Sequence, residues 1–271
     1  MIGAIIGDVT GSSYEFDNNT EDYDLDLFRE GTTFTDDTVC TIAVADAILH
    51  HKSYESALLE WCDRYPGRGY GGRFQMWLTS AVHHPYGSYG NGAAMRVSPV
   101  GWAFEDLETT LAEAEQTALP THNHPEGIKG AQVVAEAIFR LRRGEWDKIQ
   151  ELLISSYGAD YERQLPGVGV FDETCQGCVP LSLLILTKST DFEDAIRSAI
   201  HYGGDSDTLA AIVGSMAEAY FGVPDPLAER LSAIFHRKCG RSTRSLEIAL
   251  CRPLPLPYRS RIGRGIKLVS G

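Results

Sequence analysis

Two segments of this chain are apolar on almost every face of the helix that each one predicts, and both follow directly on acidic clusters. The first segment, TVCTIAVADAIL at 38–49, begins with the last residue of the acidic cluster TDDT. The second, TLAAIVGSMAEAYF at 208–221, begins with the last residue of the cluster GGDSDT. A helix without a polar face must lie in the protein interior, so both segments predict central helices. Adjacent carboxylates repel one another, and apolar helices behind them exclude the water that screens this repulsion. Helix packing alone does not explain the arrangement.

Helix capping explains one acidic residue for each of these helices. Asp, Ser and Thr are favoured at the N-cap, and acidic groups near a helix N-terminus complement its dipole. Either Thr35 or Asp36 could cap the first helix, and Asp205 or Ser206 the second. Capping explains two acids per helix poorly, because only one side chain occupies each cap.

Hard divalent cations account for the whole pattern. Mg²⁺ prefers carboxylate, hydroxyl and water oxygens in octahedral geometry. Four aspartates supply four negative charges that two Mg²⁺ ions would balance, and neighbouring threonine hydroxyls add neutral oxygens. Two such metals can orient a substrate and activate water. The candidate ligands are Thr35, Asp36, Asp37, Asp205, Asp207 and Thr208.

Helical periodicity dominates the remaining sequence and predicts an all-α fold in a single domain covering residues 1–271. The clearest case is 130–143, where apolar residues share one face and polar residues the other. The stretch 66–101 is rich in glycine and aromatic residues, and its length as an irregular segment predicts a functional role. The other predicted helices span about residues 36–51, 54–65, 105–118, 145–156, 178–187, 191–201, 206–221 and 226–238.

Charge, apolar content and cysteine content limit the classes of partner and the cellular locations to be expected for this chain. The net charge of −13 disfavours a nucleic-acid partner, whose phosphates would be repelled. No apolar run reaches the ~20 residues of a membrane span, and the N-terminus lacks the features of a signal peptide. Six cysteines, mostly in apolar helical sequence, suggest reduced core thiols and predict a cytoplasmic protein. The basic segment 252–271 is expected to form an extended tail that packs on the acidic body.

Other candidate sites are weaker. The spacing Cys175-Gln-Gly-Cys178 lacks a matching second pair of zinc ligands, so we interpret it as close helix packing. The pairs His50-His51 and His83-His84 are interpreted as surface residues. Dinucleotide-binding, P-loop and GxSxG nucleophile motifs are absent from the sequence.

Five motifs resemble the ADP-ribosylglycohydrolase family in sequence and in order. They are MIGAIIGDVTGSSYEF, FTDDT, GSYGNGAAMRVSPVG, THNHPEG and YGGDSDT, and the resemblance extends from residue 1 to about residue 222. It implies a compact, orthogonal multi-helix fold with a binuclear Mg²⁺ centre, for which Mn²⁺ is an alternative ion. It also implies hydrolysis of the C1″ glycosidic bond of ADP-ribosylated protein side chains, linked through arginine or serine. Ser206 departs mildly from the family, which more often has threonine there.

The resemblance also implies individual roles. Glu15 and Asp37 would be catalytic, and the six candidate ligands named above would hold the metals. His122 would contact the substrate. Separately from the resemblance, the loops at 66–90 and 157–178 are expected to line the acceptor side, because loops commonly determine specificity. The ADP-ribose phosphates and distal ribose would be held by Gly87, Ser88, Tyr89, Gly90 and Asn91.

Three alternatives remain open at this stage. One is a non-catalytic ADP-ribose-binding module, and another is a metal-dependent nucleotide phosphohydrolase. The third is a structural protein on the same fold. Intact metal-ligand motifs argue against the first and the third, while phosphate release would distinguish the second.

Overall fold

The computed structural model describes residues 1–17 and 22–239, without the side chains of 236–239. These residues form α-helices, one short 3₁₀ helix at Tyr161–Gln164 and no β-strand, which confirms the predicted all-α fold. The basic tail at 252–271 lies outside the described residues, and the single-domain assignment stays a prediction. The α-helices are α1 Ile2–Gly11, α2 Asp36–His50, α3 Tyr54–Arg64, α4 Gly72–Leu78, α5 Gly92–Met95, α6 Ser98–Ala103, α7 Leu107–Ala118, α8 Pro125–Leu141, α9 Asp147–Tyr157, α10 Cys175–Lys188, α11 Phe192–Tyr202, α12 Ser206–Phe221 and α13 Asp225–Cys239.

The sequence analysis missed α1 and the three short helices α4, α5 and α6, which interrupt the stretch 66–101 that was expected to be irregular. Glycine disfavours helix formation locally, and these segments are rich in it. Tertiary packing overrides that preference here. In addition, α8 begins at Pro125 rather than 130, because His124 caps it by accepting a hydrogen bond from the backbone N–H of Glu126.

Helices α2 and α12 are buried along most of their length, as their apolar sequences predict. Helix α12 packs most extensively against α1. The contact is made by glycines spaced four residues apart on one face of α1. A Cβ atom on Gly3, Gly7 or Gly11 would lie 2.2, 2.0 or 2.5 Å from a backbone atom of α12. The two backbones therefore touch, which brings the end of α1 against the start of α12.

Gly7→Ala should destabilise the protein by about 2–3 kcal/mol, because the added methyl group would overlap the carbonyl oxygen of Ala210 and force the helices apart. Urea unfolding would measure the loss. Gly72→Ala is a matched stability control, since no atom lies within 4 Å of a Cβ placed there. Equal stability of the Gly7 variant and the wild type would show that the two backbones do not touch.

The remaining expectations concern cysteine, histidine and membrane-spanning segments. Cys175 and Cys178 are buried in the first turn of α10, and the Cys175 thiol donates to the carbonyl of Gly90 at 3.0 Å. A Cβ on Gly130 of α8 would lie 2.5 Å from the Cys175 sulfur, which agrees with close helix packing.

His50, His51 and His84 are exposed, while His83 is half-buried. None of the helices in the described part of the chain has the length and apolar character needed to cross a bilayer.

Candidate active site

Carboxylates from three parts of the chain meet where α1, α2 and α12 converge. One oxygen from each of Asp8, Asp37 and Asp207 falls within 4.8 Å of the others, and the same holds for Glu15, Asp205 and Asp207. Asp207 belongs to both groups and joins them. Because the N-terminal turns of α2 and α12 carry these acids, the positive ends of two helix dipoles also face the cluster.

The N-terminus of α2 places the residues of the first acidic cluster, Thr35, Asp36 and Asp37, at this point. Thr35 is the N-cap residue, and its hydroxyl accepts a hydrogen bond from the backbone N–H of Asp37 at 3.3 Å. Asp36 and Asp37 then occupy the first helical turn. The hydroxyl of Thr208 lies 3.2 Å from Asp37 Oδ2 and links α12 to α2. This confirms the expected cap at Thr35 and leaves both aspartates available for other contacts.

The second cluster does not follow the capping interpretation. Asp205 occupies the N-cap position of α12, yet its side chain makes no capping hydrogen bond. Its carboxylate instead accepts a hydrogen bond from Asn91 Nδ2 at 2.6 Å. Asp205 therefore contributes its carboxylate to the acidic cluster and does not cap α12.

Asp8 is a member of the cluster that the sequence analysis did not identify. It is fully buried in α1 and accepts hydrogen bonds from the backbone N–H and the hydroxyl of both Thr35 and Thr38. This carboxylate ties the start of α2 to α1. The available signal was a single acid inside an otherwise apolar and glycine-rich helix, in the motif IIGDVTG.

The pKa values of the cluster carboxyls show how crowded they are. Burial, followed by repulsion from Asp207 and Asp8, raises the pKa of both Asp36 and Asp37 well above the usual range. Burial and then repulsion from Asp205 and Asp8 do the same to the pKa of Asp207. For Glu15, burial and then Asp207, Asp8 and Glu173 raise the pKa to about 8. Each of these carboxyl groups is therefore stabilised by a bound proton or by a neighbouring cation.

The donor set fits hard divalent cations. Asp37 Oδ1 is buried without a hydrogen-bond partner, and no lysine or arginine in the described ranges forms an ion pair with a cluster carboxylate. Oxygen-only donors around an uncompensated negative charge are the environment that Mg²⁺, Mn²⁺ or Ca²⁺ occupies in proteins. The cluster is thus a candidate metal site.

A cavity of 250 Å³ adjoins the carboxylates. Among the predicted site residues, those lining it are Glu15, Asp36, Asp37, Ser88, Gly90, Asn91, His122, Asp205, Asp207 and Thr208. Three predicted residues do not line it. The Thr35 hydroxyl contacts Asp8 at 2.7 Å, the Gly87 N–H donates to Asn123 Oδ1 at 2.8 Å, and the Tyr89 ring packs 5.3 Å from that of His124.

The cavity also has lining residues that sequence reasoning missed. Arg73 and Arg96 are the cations of its wall, and Tyr86 and Phe171 contribute aromatic rings. Arg73 donates to the carbonyl of Tyr86 and lies over its ring. The ring of Phe171 stacks on that of Phe16 at a centroid distance of 6.2 Å, beside Glu15. The cavity thus offers carboxylates for cations, Arg73 for anions and rings for flat groups, whereas the Arg96 side chain has no exposed surface.

The described helices thus place acidic helix starts around a cavity with side chains of both charges. The sequence profile described as ADP-ribosylglycohydrolase matches residues 1–250. The chain belongs to this family, which confirms the resemblance seen in its motifs.

Individual relatives agree with the family assignment. ADP-ribosylhydrolase ARH3 of Xenopus tropicalis is 23% identical and aligns with 94% of this chain and 95% of its own length. ADP-ribosylarginine hydrolase Tri1 of Pseudomonas putida is also 23% identical, with 82% and 70% covered. A solved chain of an ADP-ribosylglycohydrolase-related protein complex superposes with a TM-score of 0.69 at 22% identity, over 86% of this chain and 93% of that chain. The structural match shows a shared fold.

Proposed function

We propose that this protein hydrolyses the glycosidic bond between C1″ of ADP-ribose and a protein side chain, and that it does so with two Mg²⁺ ions. The observation that carries the proposal is the uncompensated carboxylate cluster beside the cavity, in a member of a family whose named relatives are ADP-ribosylhydrolases. The partners would be an ADP-ribosylated protein and the released ADP-ribose.

The residues that would hold the ions are those predicted from the two acidic motifs, with Asp8 supporting them from behind through Thr35 and Thr38. Bound there, the ions would fix the vicinal ribose hydroxyls and lower the pKa of a water molecule. The proposed ligands are Thr35, Asp36, Asp37, Asp205, Asp207 and Thr208. For Thr35, whose hydroxyl contacts Asp8 and not the cavity, support from behind is the alternative role.

Two carboxylates are proposed to handle the proton of the attacking water. Glu15 lines the cavity and is half-buried, and in the metal-free protein burial and the neighbouring carboxylates raise its pKa to about 8. Asp37 lies deeper, at 2% exposure, among the other acids. As water attacks C1″, one of them takes a proton from it, and the bond from C1″ to the side-chain nitrogen or oxygen breaks. That atom keeps the electron pair and takes up a proton, so the products are free ADP-ribose and the unmodified side chain. Positive charge develops on the ribose ring as this bond breaks.

The ADP portion would occupy the part of the cavity lined by Ser88, Gly90, Asn91 and His122. Glycine permits close approach of backbone N–H groups to a pyrophosphate, and Arg73 adds a positive charge to the same wall. Gly87 and Tyr89 belong to the same loop and are proposed to shape it. The acceptor would lie near the Phe16–Phe171 pair, where the surface can discriminate between an arginine and a serine linkage.

Release of free ADP-ribose from arginine- and serine-linked ADP-ribosyl peptides tests the proposal. Both peptides would be incubated with the protein in Mg²⁺ and, separately, in EDTA. We expect release in Mg²⁺ and none in EDTA, and the preferred peptide identifies the linkage. Tight ADP-ribose binding without release would favour the binding-module alternative, and release of phosphate from nucleotides would favour the phosphohydrolase.

A further inference from the structure

The hydrogen bonds of Arg96 offset only part of the free-energy cost of burying its charged guanidinium group. The side chain has no exposed surface, and only Nη2 has partners, namely the carbonyl of Thr117 at 2.7 Å and Thr121 Oγ1 at 2.9 Å. Its Nε and Nη1 atoms have none, and no described carboxylate pairs with it. Burying an unpaired guanidinium is costly. Its partners place the charge directly behind the segment that carries His122.

Thr121 connects this arginine to the histidine. Its side chain is fully buried, and its Oγ1 lies 2.7 Å from His122 Nδ1. An arginine nitrogen only donates hydrogen bonds, so Thr121 Oγ1 is the acceptor in that contact. The described contacts include no other acceptor for the single hydroxyl hydrogen of Thr121. Because buried hydroxyl groups almost always donate, this hydrogen goes to His122 Nδ1.

The protonation of His122 then follows. Burial, and secondarily the charges of Arg96 and Arg73, hold the pKa of His122 well below its usual value, so the ring is neutral near pH 7. A neutral imidazole that accepts at Nδ1 carries its hydrogen on Nε2. The Nε2 edge of the ring faces the glycine loop at the cavity wall, since a Cβ on Gly92 would lie 2.9 Å from Nε2 and one on Gly90 would lie 3.7 Å away.

We propose that Arg96 and Thr121 are positioning residues that hold His122 as the Nε2–H tautomer, so that the ring presents a hydrogen-bond donor to an acceptor oxygen of the bound ligand. The opposite tautomer would present a lone pair and repel that oxygen. The identity of the ligand rests on the proposed function, whereas the tautomer rests only on the contacts among these three residues.

The tautomer is measurable in the full-length protein without ligand. Two-bond ¹H–¹⁵N correlation spectra of protein labelled with ¹⁵N-histidine distinguish the two nitrogens, and His122→Gln assigns the signal. We expect His122 to be neutral with its hydrogen on Nε2. A hydrogen on Nδ1 would overturn the proposal.

Two variants of Thr121 distinguish the effect of its hydroxyl group from the effect of its side-chain shape. Thr121→Val removes the hydroxyl and should release the tautomer preference, weakening ADP-ribose binding about tenfold, as expected for one hydrogen bond. Thr121→Ser keeps the hydroxyl and should retain the tautomer and an affinity within about twofold of the wild type. Thr121→Val with an unchanged His122 spectrum, or Thr121→Ser with the spectrum of Thr121→Val, would contradict the proposed relay.

The two proposals fail in different ways. If the wild type does not bind ADP-ribose in calorimetry with Mg²⁺ present, the proposed function is wrong, and the spectrum still decides the tautomer. If the wild type binds ADP-ribose but His122 carries its hydrogen on Nδ1, the relay is wrong and the proposed function stands.

Discussion

Asp207→Asn is expected to abolish release of ADP-ribose and, at the same time, to stabilise the metal-free protein. Asp207 contributes an oxygen to both carboxylate groups, so its substitution affects both parts of the proposed metal site. Metal ions supply several kcal/mol of transition-state stabilisation, and their loss should lower the rate on the order of 10³-fold or more. Asparagine keeps the shape of the side chain, so the fold should be preserved.

The stabilisation has an electrostatic origin. Burial and mutual repulsion raise the pKa of Asp36, Asp37 and Asp207, which means that ionising all of them at neutral pH costs folding free energy. Removing one charge in EDTA should therefore raise Tm, whereas in Mg²⁺ the wild type should be the more stable protein. Asp147→Asn, at an exposed acid in the first turn of α9, is the control and should leave activity unchanged. An Asp207→Asn variant with wild-type turnover would refute the metal site.

Asp8→Ala should destabilise the protein by on the order of 3 kcal/mol and abolish activity as well. Asp8 accepts hydrogen bonds from two backbone N–H groups and two hydroxyls of Thr35 and Thr38, and alanine would leave these buried donors without partners. The loss of one repulsive charge offsets part of this cost. With its anchor gone, the start of α2 should move and carry Asp36 and Asp37 out of position.

Asp8→Asn is the matched variant. An amide oxygen can still accept from both backbone N–H groups, and the amide nitrogen can donate to the hydroxyl of Thr35, so stability should stay within about 1 kcal/mol of the wild type. Urea unfolding in EDTA would compare the three proteins. Equal losses in the alanine and asparagine variants would show that the hydrogen bonds of Asp8 do not anchor α2.

The acidic pairs of the site could be predicted because their signal is local. Two carboxylates before an apolar helix exceed what a cap requires, and Asp36, Asp37, Asp205 and Asp207 all line the cavity, while their role as metal ligands stays a prediction. Asp8 carried no such signal. Its position depends on backbone contact between α1 and α12, two segments about two hundred residues apart in sequence, which glycine spacing permits but does not identify.

The residues of the cavity wall also divide into those that the sequence indicated and those that it did not. Ser88, Gly90, Asn91 and His122 were found through resemblance, because a glycine-rich loop and a lone histidine have no periodicity that indicates a ligand. Arg73 and Arg96 were missed, since a sequence does not show whether an arginine in such a region points to solvent or is buried behind a neighbouring loop. Tertiary contacts decided both positions.

Calorimetric titration of Mg²⁺ into the metal-free, full-length protein tests the central claim most directly. Four aspartates that line one cavity, Asp36, Asp37, Asp205 and Asp207, have no described lysine or arginine paired with them and predict binding of two ions per chain, which Asp207→Asn should lose. Two ions bound by the wild type and none or one by the variant would support the account. No binding of Mg²⁺ or Mn²⁺ to the wild type up to about 10 mM, with or without ADP-ribose, a concentration that corresponds to about −3 kcal/mol, would contradict it.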